Sequence, residues 1–313
     1  MLGAGGVGGG VGALLQGAGY DVTLVARGAH LEAMRRHGLR LLTPEGARTL
    51  AMPVAARVPD GADIILLAVQ SQDTLTALSG VARAVPVVSL QNGVDNEPRI
   101  AALGHPVIGA MVWVPAVHLE PGEVRLHGAP TPGAIDVGDW PHGAGTLAHT
   151  VRALLTAAGF ESACREDIMA WKRGKLLTNL AGGLQAACGA VPEDLLSRVV
   201  AEAEAAFAAA GWTWVRFDEV MARSAIDSLP AGGHDRPGGS MWQTVARGRP
   251  TEAHHLHGEV VRLAERCGLD APLNRQLLQI SDMLSTPGAW TPEALRAALN
   301  EAERSLHEGP RRA

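Results

Sequence analysis

The chain has 313 residues, too many for one ordinary core, so two domains are expected. A hydrophobic content of 47% is that of a globular protein, and a net charge of -5 with a pI near 6.2 gives no electrostatic reason to expect nucleic acid or an anionic membrane as partner. Cys164, Cys188 and Cys267 are odd in number and lack Cys-X-X-Cys spacing, which reads as reduced thiols. With no apolar run long enough for a bilayer and no leader-type start, the expected location is the cytoplasm. The densest histidine group, His254, His255 and His257, lacks an i, i+4 pair and reads as a surface or groove-lining cluster, not a metal site.

The chain opens Met1-Leu2-Gly3-Ala4-Gly5-Gly6-Val7-Gly8, a G-X-G-X-X-G at Gly3, Gly5 and Gly8. In a dinucleotide-binding turn the first glycine permits the bend, the second lets the backbone approach a pyrophosphate, and the third lets helix and strand pack closely. Residues from Val11 to Leu15 should be helical, which would put the pyrophosphate at a helix N-terminus. The spacing alone is weak in a chain with 38 glycines; a second strand over Asp21–Val25 strengthens it. A strand of about five residues should precede the motif, and only Met1 and Leu2 do. The expectation is that the first strand is longer than these two residues; if it is not, nucleotide affinity and stability should both suffer.

The second strand runs into Ala26-Arg27 with no carboxylate for the ribose hydroxyls of NAD. Arg27 suits the 2′-phosphate of NADP, against the plainer reading of a surface arginine. Asp63–Val69 and Pro86–Leu90 are apolar runs of buried parallel strands. The second ends in Gln91-Asn92-Gly93, where ligands of open parallel sheets lie. Asn92 is there either to bond cofactor or substrate, or as the start of an ordinary Asn-Gly turn. A strand over Val107–Trp113 follows. Then comes a hairpin of Val117-His118-Leu119 with Glu123–His127 about Pro121-Gly122, expected to close the sheet as its antiparallel edge, and a short strand at Ala134–Val137.

From Leu147 the pattern turns helical, and a domain boundary is placed near residue 163: 1–163 for the nucleotide, 164–313 for a helical substrate domain. The only two lysines in the chain, against 25 arginines, lie in Trp171-Lys172-Arg173-Gly174-Lys175-Leu176-Leu177-Thr178-Asn179. A lysine can give up a proton where an arginine cannot. On a helix, Trp171, Lys175, Asn179 and Gly183 share a face. Lys175 is therefore the candidate for a cleft, and Lys172 reads as a solvated neighbour whose removal should be mild.

Six pieces in order carry a resemblance: Gly3 to Gly8, Val25-Ala26-Arg27, Leu90-Gln91-Asn92-Gly93, Trp171 with Lys175-Leu176 and Asn179, Ser240-Met241-Trp242-Gln243, and Thr251-Glu252 followed by Gly258. The chain resembles the ketopantoate reductase (2-dehydropantoate 2-reductase) family over almost its whole length. The resemblance implies an N-terminal Rossmann domain binding NADPH/NADP+ through Gly3, Ala4, Gly5, Gly6, Val7, Gly8 and Arg27, and an all-α C-terminal domain as in 6-phosphogluconate dehydrogenase, with the active site in the cleft between them. It implies reduction of ketopantoate to D-pantoate, toward pantothenate and coenzyme A. Lys175 would be the proton donor, Asn179 would hold the substrate and Ser240 its carboxylate end. Glu252 would contact the substrate hydroxyl or the cofactor, and Asn92 would sit between nicotinamide and substrate.

Read without the family, Ser240 is an N-cap and Glu252 a first-turn carboxylate. Three positions depart from the family pattern: Gly183 stands where a second asparagine is usual, Thr244 where an Asp is usual, and Gln70 where a lysine is common. They point to a reductase of another 2-oxoacid, in a pocket enlarged at Gly183, as the nearest alternative. A non-catalytic NADP-binding or regulatory protein is the alternative of a different class. An apolar helical face can support a homodimer, a helix is expected beyond Pro292, and Gly309–Ala313 is expected to be disordered.

Overall fold

The computed structural model describes residues 1–223 and 225–308, so the expectation for Gly309–Ala313 lies outside the described residues. The chain divides into two compact units, Met1–Lys172 with Asp218–Pro237, and Arg173–Phe217 with Gly238–Ala313. This contact division differs from a single boundary near residue 163 in two features. The first unit runs on to Lys172 and takes back a later segment. Asp136 is the physical reason: fully buried, it holds Arg165 and Arg223 through ion pairs of 2.7 Å each. Residues on either side of the helical excursion thereby share one buried charge.

In the first unit, Leu2 leads to α1 (Gly6–Gly17), β1 (Leu24–Val25), α2 (Gly28–His37), β2 (Leu39–Thr43), β3 (Gly46–Leu50), β4 (Val54–Ala55) and β5 (Ile65–Leu67). Then come α3 (Thr74–Leu78), β6 (Val87–Ser89), α4 (Asn96–Ala102), β7 (Val107–Trp113), β8 (Ala116–Val117), β9 (Glu123–Leu126), β10 (Gly128–Ala129), β11 (Ala134–Asp139) and α5 (Thr146–Ala157). The main sheet runs β11-β7-β6-β5, with β5, β6 and β7 parallel and β11 antiparallel at the edge. Every residue of β5 and β6 is buried, as in a sheet covered on both faces. Leu2 makes parallel bridges to both Val25 and Leu67, and β1 pairs in turn with β4. Leu2 thus stands in the sheet between β1 and β5. Beside it a cavity of about 520 Å³ lies against Leu15, Thr23, Ile65 and Leu154.

The hairpin forms, but not where it was expected. β8 and β9 pair antiparallel inside a second sheet, β3-β2-β9-β8, and β11 takes the edge of the main one. The alternation along β9 explains this: Val124 and Leu126 are buried, while Glu123 turns its carboxylate to Arg40 of β2 at 2.7 Å and to Arg125. A strand with one charged face cannot enter a doubly covered sheet.

The second unit is helical. The chain continues through α6 (Ile168–Asn179), α7 (Ala181–Cys188), α8 (Glu193–Ala209), α9 (Phe217–Arg223), β12 (Asp227–Ser228), α10 (Ser240–Ala246), α11 (His257–Arg266), α12 (Pro272–Met283) and α13 (Pro292–Glu308), with α9 and β12 returning to the first unit after Phe217. Leu184, Leu195, Val199, Phe207, Leu277 and Leu299 are fully buried. Glu202 of α8 accepts the backbone N–H groups of Leu273 and Asn274 at 2.8 and 2.9 Å, satisfying orphan donors at the start of α12. Among the described residues no helix is long and apolar enough to cross a membrane.

Candidate active site

The glycine-rich turn is sterically committed. Gly3 has φ +97°, and a Cβ on it would stand 2.8 Å from the backbone of Ala68 and Val69. A Cβ on Gly8 would fall 1.9 Å from the Gly3 carbonyl oxygen, whereas one on Gly5 would meet nothing within 4 Å. The first and third glycines are therefore required by packing, and the second faces open space. Gly5 caps α1 without a side-chain bond, so no capping side chain takes up the N–H groups of the first turn. This is a fit for the pyrophosphate of a dinucleotide. His30 adds a support that sequence reasoning missed. Its Nδ1 accepts the Gly122 N–H at 2.8 Å, so Nε2 carries the proton and donates it to the Ala4 carbonyl at 2.7 Å.

The other nucleotide-side residues follow strand ends of the same sheet. Arg27 follows β1 in extended backbone; its side chain is 67% exposed and pairs with Asp73 at 3.1 Å. Asn92 is half-buried after β6, and Gly93 follows at φ +81°, so the backbone does make an Asn-Gly turn. A buried polar web braces this turn. Gln91 donates to the Val69 carbonyl and to Thr74 Oγ1, Thr74 donates to Asn96 Oδ1, and Asn96 donates to Ser71 Oγ and to the Asn92 carbonyl, all within 2.8–3.0 Å. Gln70, one of the departures from the family pattern, precedes the short 3₁₀ turn Ser71–Asp73 and accepts a bond from Gln72 at 3.0 Å.

Lys172 is not a solvated neighbour. Its side chain is 2% exposed, with Nζ donating to the carbonyls of Gln91 at 2.7 Å and Ala110 at 3.1 Å and lying 2.9 Å from Glu97 Oε1. A helical wheel separates Lys172 from Lys175, which holds, but it cannot say which neighbour each face meets. The face carrying Lys172 meets the sheet.

In the second unit, Lys175 and Asn179 stand one turn apart on α6, both half-buried. Lys175 Nζ donates to Thr178 Oγ1 at 3.1 Å, and that hydroxyl donates to the Lys175 carbonyl at 2.8 Å. Ser240 is the exposed first residue of α10; Gly239 takes the cap position, so Ser240 is not the N-cap. Thr244 is buried and donates back to the Ser240 carbonyl at 2.9 Å, which occupies its hydroxyl within its own helix. Glu252 precedes the 3₁₀ turn Ala253–His255 and not α11 itself, which starts at His257.

Gly183 does not enlarge a pocket. A Cβ there would lie 2.3 Å from His257 Nε2, because the imidazole already fills the space. His257 was expected in a surface or groove-lining cluster with its neighbours, yet it is fully buried. Its Nδ1 meets Asn274 Oδ1 at 2.9 Å, while the Asn274 amide donates to Val199 and Glu202. The proton therefore sits on Nδ1, and Nε2 has no hydrogen-bond partner among the described residues. Burial pushes the imidazole down to about 4, so the ring is neutral.

The family description "Ketopantoate reductase PanE/ApbA" matches residues 1–142, and "Ketopantoate reductase PanE/ApbA C terminal" matches residues 167–285. The chain belongs to the ketopantoate reductase family. As a member it is an oxidoreductase acting on a CH–OH group, in a family that uses NADPH. The 2-dehydropantoate 2-reductase of Pyrococcus horikoshii is 33% identical over 287 residues, covering 88% of this chain and 93% of that one. That of Archaeoglobus fulgidus is 31% identical, covering 90% and 95%. Among solved structures, the PanE/ApbA family ketopantoate reductase of Ralstonia eutropha aligns with TM-score 0.73 and 27% identity over 96% of this chain and 98% of that one. A D-mandelate dehydrogenase with NADH and anilino(oxo)acetate aligns with TM-score 0.77 at 20% identity, over 96% and 98%, a likeness of fold.

Proposed function

We propose that this ketopantoate reductase-family chain reduces the ketone of 2-dehydropantoate to D-pantoate with NADPH, with Lys175 as the proton donor. The carrying observation is where the two lysines lie: Lys172 against the sheet, Lys175 on the face of α6 that carries Asn179. Lys172 spends its ammonium on two backbone carbonyls and Glu97. Lys175 is half-buried, donates to the Thr178 hydroxyl and shares its face with Asn179. When bound, the reduced nicotinamide supplies hydride to the ketone carbon. The chain's own residues do the rest. Lys175 stabilises the negative charge that grows on the ketone oxygen and then gives it a proton. Asn179 holds the substrate beside it, Ser240 binds its carboxylate end, and Glu252 contacts the substrate hydroxyl or the cofactor. Asn92 orients the reacting partners. Gly3 to Gly8 hold the pyrophosphate, with Arg27 on the 2′-phosphate.

A second reading, reduction of a different 2-oxoacid, is favoured by one observation: the position of the family's second asparagine is filled by a neutral imidazole. The test is a steady-state assay following NADPH absorbance with ketopantoate and a panel of branched and aromatic 2-oxoacids. Ketopantoate should give the largest kcat/KM. A larger value with another 2-oxoacid replaces the substrate, and no turnover with any of them removes the catalytic reading.

A further inference from the structure

We propose that Lys172 is a positioning residue for the reduction: its ammonium, neutralised by Glu97, holds the Gln91–Asn96 turn so that Asn92 keeps its place. The inference rests on the reductase reading above, through the role given there to Asn92.

The geometry is specific. Nζ donates to Gln91, the residue immediately before Asn92, and to Ala110 in the middle of β7. It therefore ties the turn after β6 to the adjacent strand. Glu97 lies in the first turn of α4, and that helix starts at Asn96, whose amide grips the Asn92 carbonyl from the other side. Asn92 is consequently held on both flanks. The contact with Glu97 is one of charge, since neither of its carboxylate oxygens makes an aligned hydrogen bond among the described residues. Glu97 is 0% exposed in its side chain and serves to offset the ammonium.

A stability role alone explains this poorly. Removing two charges from water costs about as much as their attraction returns, and apolar pairs commonly replace buried ion pairs without loss. What an apolar pair cannot do is bond two carbonyls. The arginine that this chain uses elsewhere would not serve either: a planar fork does not fit a single point between two carbonyls and a carboxylate. This accounts for the second lysine in a chain that has only two.

The experiment compares wild type with Lys172→Met/Glu97→Leu, a double variant that leaves no charge stranded. Lys172→Met alone is the control for a stranded Glu97 carboxylate and should lower Tm. The double variant should unfold within a few degrees of wild type and bind NADPH within about threefold. Its kcat should fall at least tenfold, and amide exchange at Gly93–Glu97 should accelerate. Wild-type kcat or wild-type exchange in the folded double variant overturns the proposal. The exchange measurement needs no turnover, so it reports on the turn even if the wild-type enzyme proves to reduce no 2-oxoacid, an outcome that would instead sink the functional reading.

Discussion

Lysine survives at two positions on one helix, three residues apart, and the neighbours of each define it. Lys175 is half-buried and donates to the Thr178 hydroxyl, one turn from Asn179. Lys175→Ala should lower kcat by roughly 10²- to 10⁴-fold, the usual span for a positioned acid, with the NADPH Kd nearly unchanged in a fluorescence titration. A comparable loss of cofactor affinity would place the residue at the nucleotide instead. Arg27 makes a contrasting case. Its pair with Asp73 is solvent-exposed and costs little to open. Arg27→Ala should therefore weaken NADPH much more than NADH, and an unchanged ratio of the two Kd values removes the 2′-phosphate assignment.

At the scale of elements, the informative contact is α7 against the start of α11. A glycine on one helix and a histidine on the other fit as a single unit, so neither reads correctly alone. His257 is neutral when folded, with a pKa near 4, against 6.5 for the unpaired side chain. Between these values the unfolded chain takes up a proton that the folded chain refuses. Stability is thus full above about pH 6.5 and falls as pH drops toward 4, by up to about 3 kcal/mol. Urea unfolding at pH 7 and pH 5 measures this, and His257→Gln should flatten the difference. Equal flattening in no variant would assign the pH dependence to other groups.

The same contact shows what the sequence could and could not convey. The parallel strands, the glycine turn and Val107–Trp113 were legible because hydropathy and glycine sterics are local. The hairpin of β8 and β9 was legible as a hairpin, but its sheet was decided by pairing with β2, far away in the chain. His257 looked polar among polar neighbours, and its burial depends on a side chain that residue 183 lacks. Lys172 was misread for a related reason: periodicity assigns faces to a helix without naming what each face meets.

Across the whole molecule, Asp136 is the residue on which the first unit's discontinuity turns. It is fully buried and shared by Arg165 and Arg223, with Arg223 reaching Glu161 as well. Asp136→Ala removes the carboxylate partner of Arg165 and one of the two of Arg223, and should cost about 3–5 kcal/mol, as breaking a buried pair does. Denaturant unfolding should show that loss. A change under 1 kcal/mol would mean that the returning segment is held by other contacts.

That returning segment has a consequence for the order in which the protein can be built. Residues Asp218–Pro237 complete the nucleotide-side unit, yet they are synthesised after the first stretch of the helical one. A growing chain that has emerged as far as Lys172 lacks the strand β12 that pairs with β10, and lacks Arg223 opposite Asp136. The first unit cannot reach its final form until most of the polypeptide has left the ribosome. Nor can either unit be transplanted into a relative as an uninterrupted cassette, since a graft must carry two segments and join both.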